Sequence, residues 1–190
     1  ASRQYYVSFN GSRYYATSSN SPLRIIYGTV NNDYMMGFDN SNITMYGSEG
    51  ADTLKGADSV DLLYGGNGDD SLFGYAGKDI LNGEAGNDYL EGGIDDDTYL
   101  FNVGSGTDSI NDNHGVNVIS FGEGLNKESV IAYRTNWNDL TITFTGIEDK
   151  LVIQGYFTSP DSRKFDVVFA DGSKYEYTNL ENPINQIYAS

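Results

Sequence analysis

The chain has few or none of the residues on which several common protein functions depend. It contains no cysteine, which excludes disulfides and thiolate metal sites, and it has a single histidine. Lysine and arginine number 11 against 27 aspartate and glutamate residues, so the formal net charge is −16. This charge argues against nucleic acid and anionic membranes as partners and favours cations as ligands. No stretch is apolar enough to span a membrane, and we expect no membrane insertion.

The sequence also lacks the motifs of common hydrolases. It contains neither the H-E-x-x-H motif of zinc proteases nor the G-x-S-x-G nucleophile elbow. Its one histidine, His114, lies in a predicted loop. Its paired acidic residues recur every nine residues, a spacing that indicates cation ligands rather than a catalytic pair. We therefore predict that the chain is not an enzyme. The N-terminus has no basic and then apolar signal-peptide pattern, and we expect a module of a larger chain.

Glycine and aspartate recur with a nine-residue period, which is the clearest feature of the sequence. From residue 65 to residue 97 the chain reads GGNGDDSLF, GYAGKDILN, GEAGNDYLE and GGIDDD. A glycine opens each unit, an aspartate follows five residues later, and an apolar or aromatic residue comes two residues after the aspartate. A flexible glycine-rich linker would not keep an apolar residue in this phase, so the period indicates a folded repeat.

The chemistry of one unit predicts its shape and its ligand. Six glycine-rich residues can form a turn in which backbone carbonyls converge, because glycine tolerates positive φ. The next three residues form a short strand whose central side chain points inward. Two units complete a coil, so the turns alternate between two edges, and carbonyl and carboxylate oxygens provide the all-oxygen shell that Ca²⁺ prefers. We predict several ions and folding coupled to calcium, with the carboxylate pairs Asp52–Asp70, Asp70–Asp88, Asp61–Asp79 and Asp79–Asp97.

The segment from Gly47 to Asp97 resembles the calcium-binding block of the RTX (repeats-in-toxin) family of secreted toxins, proteases, lipases and adhesins. The later stretches DTYLFNVGSGTDSI, ISFGEG, NDLTI and FADGS are similar to those that commonly follow such blocks. The resemblance implies a calcium-stabilised parallel β-roll and a bacterial parent protein that is secreted by the type I route. The carboxylates predicted as metal ligands are those of Asp33, Asp52, Asp61, Asp70, Asp79, Asp88, Asp97 and Asp108. The backbone carbonyls predicted as ligands are those of Gly47, Glu49, Gly65, Gly66, Asn67, Gly68, Gly74, Ala76, Gly77, Gly83, Ala85, Gly86 and Gly92.

The period weakens on both sides of this block, and the flanks suggest caps. Upstream, Asn42 replaces the aspartate of one unit; downstream, Asp95 replaces a turn glycine and Asn117 replaces an aspartate. Residues 1–27 carry tyrosine-rich strand-like runs around an Asn-Gly turn, and residues 122–190 carry alternating strand patterns. We predict an all-β fold with an N-terminal β cap (1–27), a β-roll (28–121, strongest over 47–100) and a C-terminal antiparallel β cap (122–190).

The sequence leaves the role of the module open between two classes. Its capped layout and many tyrosines resemble the peptide-binding modules of large RTX adhesins, in which calcium helps to hold a free C-terminal carboxylate. This resemblance implies a monomeric, cell-surface module that binds an extracellular peptide, protein or glycan, with tyrosines and Trp137 available for stacking. The irregular turn at Asp39, Asn42 and Tyr46 is the predicted ligand site. The alternative is a structural module, coupled to secretion, whose only ligand is calcium.

Overall fold

The computed structural model describes residues 5–9, 12–16, 24–37, 41–158 and 164–175, and most of these residues lie in short strands. One 3₁₀ turn, Lys127–Ser129, is present among them. The strands are β1 (Tyr5–Phe9), β2 (Ser12–Ala16), β3 (Arg24–Tyr27), β4 (Tyr34–Met36), β5 (Ile43–Glu49), β6 (Thr53–Lys55), β7 (Leu62–Asn67), β8 (Ser71–Ala76), β9 (Ile80–Ala85), β10 (Tyr89–Ile94), β11 (Thr98–Phe101), β12 (Thr107–Ile110), β13 (Asn117–Phe121), β14 (Val130–Thr135), β15 (Asp139–Phe144), β16 (Ile147–Ile153), β17 (Phe165–Phe169) and β18 (Lys174–Tyr175).

Successive repeat strands alternate between two eight-stranded sheets. The first sheet has the order β14-β15-β16-β12-β10-β8-β6-β4, and the second has the order β18-β17-β13-β11-β9-β7-β5-β3. From β4 to β12 and from β3 to β13 the neighbouring strands are parallel. Each coil therefore adds one strand to each sheet, and the predicted parallel β-roll is confirmed.

The apolar residue of each unit points between the sheets and forms a column. In the first sheet Leu54, Leu72 and Leu90 are paired in register and are 0–1% exposed. Leu63 and Leu81 form the matching column of the second sheet. Full burial of one leucine side chain contributes roughly 1.5–3 kcal/mol. The nine-residue period of the sequence therefore corresponds to a core in which each successive strand adds one buried side chain.

The two ends of the roll differ in how they continue it. At the N-terminal end, β1 and β2 form a separate antiparallel pair, as expected for the predicted hairpin, whereas β3 pairs in parallel with β5. The predicted boundary at residue 27 therefore falls directly after β3, a strand that already belongs to the second sheet of the roll. At the other end, β14, β15 and β16 are antiparallel, as predicted, but β16 and β17 also pair in parallel with β12 and β13.

Aromatic side chains close the core at the C-terminal end. Phe101, Phe121, Phe144 and Phe169 contact one another with ring centroids 4.9–6.4 Å apart, and each is at most 3% exposed. A tight turn at Gly146 (φ 78°) reverses the chain between β15 and β16. No helix in the described ranges has the length and apolar character needed to cross a membrane.

Candidate metal sites

The repeat aspartates form two hydrogen-bonded ladders, one along each edge of the roll. In each rung, the backbone N–H of one aspartate donates to Oδ1 of the residue at the same position in the next coil. The first ladder joins Asp33, Asp52, Asp70, Asp88 and Asp108, with N···O distances of 2.7–3.1 Å. The second ladder joins Asp61, Asp79, Asp97 and Asn117, each at 2.8 Å. The four predicted carboxylate pairs are therefore neighbours in these ladders.

The other carboxylate oxygen of most ladder aspartates is buried and has no hydrogen-bond donor. This holds for Oδ2 of Asp52, Asp70, Asp79, Asp88, Asp97 and Asp108, and for Oδ1 of Asp33. Each of these seven residues is at most 4% exposed. A buried carboxylate oxygen without a donor or a cation is strongly unfavourable, because it has lost its hydration and gained nothing in return. Within the described residues, each edge of the roll therefore carries a row of buried carboxylate oxygens that need a positive charge nearby.

Carbonyl oxygens from the neighbouring turn converge on the same points. A Cβ placed on Gly47 would collide with both Oδ2 of Asp52 and the carbonyl oxygen of Gly65. On the other edge, a Cβ on Gly74 would collide with Oδ2 of Asp79 and lie 2.6 Å from the carbonyl oxygen of Gly92. At Gly47, Gly56, Gly65 and Gly74 two oxygens therefore occupy the space of a side chain, and at Gly83 and Gly92 the aspartate of the same unit occupies it. The predicted carbonyl ligands Gly47, Gly65, Gly74, Gly83 and Gly92 all lie in this position.

Burial raises the pKa of the ladder carboxyls. The pKa of Asp70 and of Asp79 rises from 3.8 to about 7, and that of Asp97 rises to about 8. Desolvation is the main cause in each case, and neighbouring carboxylates add to it. The pKa values of Asp88 and Asp108 are raised for the same reason. Near neutral pH these groups need either a proton or a bound cation to remain buried.

The turns are not all alike, and the residue after the opening glycine separates two kinds. In open turns this residue has positive φ: Ser48 (90°), Gly66 (115°), Tyr75 (79°), Glu84 (69°) and Gly93 (109°). Thr29 and Ala57 do not adopt positive φ, and their N–H groups donate to the aspartate Oδ2 of their own turn, at 2.6 and 2.7 Å. We call these two turns closed.

A closed turn satisfies its aspartate from within. Both oxygens of Asp61 accept backbone hydrogen bonds, Oδ1 from Ile43 and Oδ2 from Ala57. Asp33 has a paired Oδ2 and leaves only Oδ1 without a donor. Among the predicted metal ligands, Asp61 is therefore the one whose carboxylate already has donors on both oxygens.

The arrangement fits a calcium ion better than a transition metal. All the converging atoms are oxygens, which a hard cation prefers. In the part of the chain that the structure describes, no three His, Cys, Asp or Glu side chains converge to hold a metal, so backbone oxygens would have to complete any shell.

Comparisons with known proteins identify the repeat. A model of the "RTX calcium-binding nonapeptide repeat (4 copies)" matches residues 44–72 and 64–99, and a model of the "Haemolysin-type calcium binding protein related domain" matches residues 139–179. The chain belongs to the RTX calcium-binding repeat family. No curated protein matches the sequence significantly.

Among solved structures, the extracellular lipase LipA from Serratia marcescens is similar to this RTX chain at 18% identity and a TM-score of 0.32. The match covers 77% of this chain and 40% of the lipase chain. So distant a likeness carries no argument about activity, and the RTX chain spans less than half the length of that protein.

Three of the remaining predicted carbonyl ligands of the RTX turns already accept backbone hydrogen bonds. The carbonyls of Asn67, Ala85 and Gly86 accept hydrogen bonds from Gly50, Gly68 and Thr107, respectively. Glu49, Gly66 and Ala76 lie in strands, and Gly68 and Gly77 follow strands directly. A carbonyl oxygen has two lone pairs, so these hydrogen bonds leave one lone pair of each engaged oxygen for a cation.

The structure describes two of the three residues of the predicted peptide site. Asp39 lies outside the described residues, Asn42 is exposed, and Tyr46 lies in a tyrosine stack on the outer face of the second sheet. The rings of Tyr27 and Tyr64 cover the two faces of Tyr46 at centroid distances of 5.1 and 5.0 Å. This leaves neither face of Tyr46 open for stacking with a ligand.

Two buried carboxylates outside the nine-residue phase were not predicted from the sequence. Asp149 accepts hydrogen bonds from the backbone N–H groups of Gly104 and Gly106, at 2.7 and 2.9 Å, and so anchors the loop before β12. Asp112 is 3% exposed and lies where other RTX units have their opening glycine. An acidic residue at a glycine position is the signal that could have identified Asp112.

Proposed function

We propose that the chain is a calcium-dependent folding module: a β-roll that is completed only when Ca²⁺ ions bind between stacked turns along its two edges. The observation that carries this proposal is the set of six buried Oδ2 atoms without donors, those of Asp52, Asp70, Asp79, Asp88, Asp97 and Asp108. The family match and the oxygen-only surroundings support it.

The charge of the chain explains why the fold would depend on the ion. With a net charge of −16 and its carboxylates aligned in ladders, the folded chain concentrates like charges that the extended chain keeps apart. Bound calcium would supply positive charge between the carboxylates and offset their desolvation. The chain would therefore stay unfolded where calcium is scarce, as in a bacterial cytosol, and fold once it is outside the cell. This behaviour suits a secreted parent protein.

Calcium titration of two matched variants tests the proposal. Asp70→Asn removes a buried ladder carboxylate, whereas Asp69→Asn removes the same charge from the exposed neighbouring residue. We expect circular dichroism to show calcium-induced β-structure in the wild type. The Asp70→Asn midpoint should lie at a calcium concentration at least tenfold higher, and the Asp69→Asn midpoint should be unchanged. A wild type that is equally folded in chelator and in calcium would refute the proposal.

Binding of an external peptide or glycan remains a second hypothesis, and the tyrosine content of the sequence is its support. Binding to arrays of peptides with free and with amidated C-termini, and to glycan arrays, separates it from the folding module. Calcium-dependent binding that needs the free carboxylate would establish a peptide-binding adhesin module. A glycan ligand would establish a sugar-binding adhesin module. No binding by folded protein would leave calcium as the only ligand.

A further inference from the structure

Three departures from the repeat pattern meet at the last turn of the second ladder. Tyr99 replaces the leucine of its unit, Asp112 takes the opening-glycine position, and Asn117 takes the aspartate position. The turn that contains Asp112 stacks on the turn that contains Asp97, because the N–H of Asp97 donates to Oδ1 of Asn117 at 2.8 Å. Taken singly, each departure would weaken the site; in the structure Tyr99 contacts Asp112, and Asn117 is linked to Asp112 through His114.

The side chains of these residues form one connected network. The hydroxyl of Tyr99 donates to Oδ2 of Asp112 at 2.5 Å and accepts from the backbone N–H of Gly92 at 2.8 Å. The backbone N–H of His114 donates to Oδ1 of Asp112 at 3.0 Å. The side-chain nitrogen Nδ2 of Asn117 donates to the carbonyl of His114 at 2.9 Å. The network thus fixes the orientation of the Asp112 carboxylate.

The carboxylate held in this way lies beside another that has no donor. Asp97 is 1% exposed, and its Oδ2 has no hydrogen-bond partner. A Cβ placed on Gly92 would lie 2.2 Å from this oxygen, and the N–H of the same Gly92 donates to the Tyr99 hydroxyl that holds Asp112, so both carboxylates lie close to Gly92. Two buried carboxylates held close to the same residue repel each other unless a cation lies between them. Residue 117 has no carboxylate, and the carboxylate of Asp112 therefore takes its place near Asp97.

We infer that Asp112 completes a terminal Ca²⁺ site together with Oδ2 of Asp97, at a turn where the repeat pattern itself provides only one carboxylate. Tyr99 acts as the positioning residue for Asp112. Asp112 also lines a surface cleft of about 340 Å³, bordered by Tyr75, Ile94 and His114, through which an ion can reach it. This inference rests on the proposed calcium-dependent function and adds to it a site built from residues outside the repeat phase.

Calcium counting on folded protein tests the inference with three variants. Asp112→Asn keeps an acceptor for Tyr99 but removes the charge. Tyr99→Phe removes the hydroxyl and keeps the carboxylate. Asp95→Asn is the matched control, since it removes an exposed charge from the adjacent turn and asparagine tolerates the positive φ of 82° at that position. We expect equilibrium dialysis to show one fewer calcium ion, or one site weakened at least tenfold, for Asp112→Asn. Tyr99→Phe should weaken the same site by a smaller factor, and Asp95→Asn should leave the number and affinity of the sites unchanged.

The outcomes separate this inference from the proposed function. A wild type that binds no calcium would overturn both. A wild type that binds calcium, with an Asp112→Asn variant that binds the same number equally tightly, would overturn the inference alone. If Asp112→Asn does not fold, crystals of the wild type grown in calcium decide the question: an anomalous peak touching both Asp97 and Asp112 supports the site, and no such peak refutes it.

Discussion

Replacing Asp79 with asparagine should have opposite effects on the calcium-free and the calcium-bound protein. Oδ1 of Asp79 accepts from the backbone N–H of Asp61 at 2.8 Å, and asparagine can accept the same bond. Oδ2 has no donor and lies near the carbonyl oxygen of Gly92. An amide nitrogen at this position could donate to that carbonyl, whereas the carboxylate oxygen faces it without a proton. Without calcium, the neutral side chain is therefore the better fit.

The raised pKa of Asp79 sets the size and the sign of the effect. Its pKa is about 7 in the folded chain against an ordinary value of 3.8. Because the folded pKa is the higher one, the contribution of this carboxyl to stability is complete below about pH 4 and is lost as the pH rises toward 7. At about 1.4 kcal/mol for each pKa unit, the loss reaches roughly 4 kcal/mol near pH 8 and about 2 kcal/mol near pH 5. Asparagine does not ionise and therefore avoids this loss of stability.

Urea denaturation in chelator and in calcium measures the difference. In chelator near pH 8, Asp79→Asn should be more stable than the wild type by up to about 4 kcal/mol, and the gap should narrow toward pH 5. If the calcium-free wild type is already unfolded near pH 8, the variant should fold at a higher pH than the wild type does. In saturating calcium the order should reverse, because a charged ligand is lost. The same order under both conditions would refute the reasoning.

Three further substitutions probe separate parts of the roll. Gly65→Ala places a Cβ against Oδ2 of Asp70, so the calcium bound per chain should fall and the Tm in calcium should drop. Unchanged values would show that calcium does not bind at Oδ2 of Asp70. Leu81→Ala, at a side chain that is 0% exposed, should cost about 2–5 kcal/mol in urea denaturation with saturating calcium. Lys78→Ala breaks the exposed ion pair with Asp96 (2.7 Å) and should leave the Tm in calcium unchanged.

The period of the sequence was sufficient to predict the centre of the roll. Once two nine-residue units make a coil, residues 18 apart must stack, and this places Asp52 on Asp70 and Leu54 on Leu72. The ends do not carry the period. β16 and β17 each join one of the two sheets by pairing with β12 and β13, which lie far away in sequence, and no local pattern encodes this pairing.

The difference between open and closed turns could not be predicted from residue types. Tyr75 and Glu84 are not glycines, yet both adopt positive φ and leave their turns open. Ala57 occupies the same position without positive φ and closes its turn. Non-glycine residues at this position therefore occur in both kinds of turn. Asp112 departs visibly from the repeat because it replaces an opening glycine, but the pattern does not show its contact with Tyr99.

The ladders predict that calcium uptake is cooperative. In the first ladder, the Asp70 N–H donates to Oδ1 of Asp88, while Oδ2 of Asp88 faces its own site. An ion that fixes one carboxylate thereby fixes the backbone of the adjacent turn, whose aspartate belongs to the next site. A calcium titration followed by circular dichroism should therefore be steeper than binding at independent sites. On the second ladder the closed turn at Asp61 should end this coupling, because the N–H of Ala57 in the same turn donates to Oδ2 and takes the place of an ion there. An Ala57→Gly variant, free to adopt positive φ and open that turn, should extend the coupling and steepen the titration; an unchanged slope would show that the ladders do not transmit it.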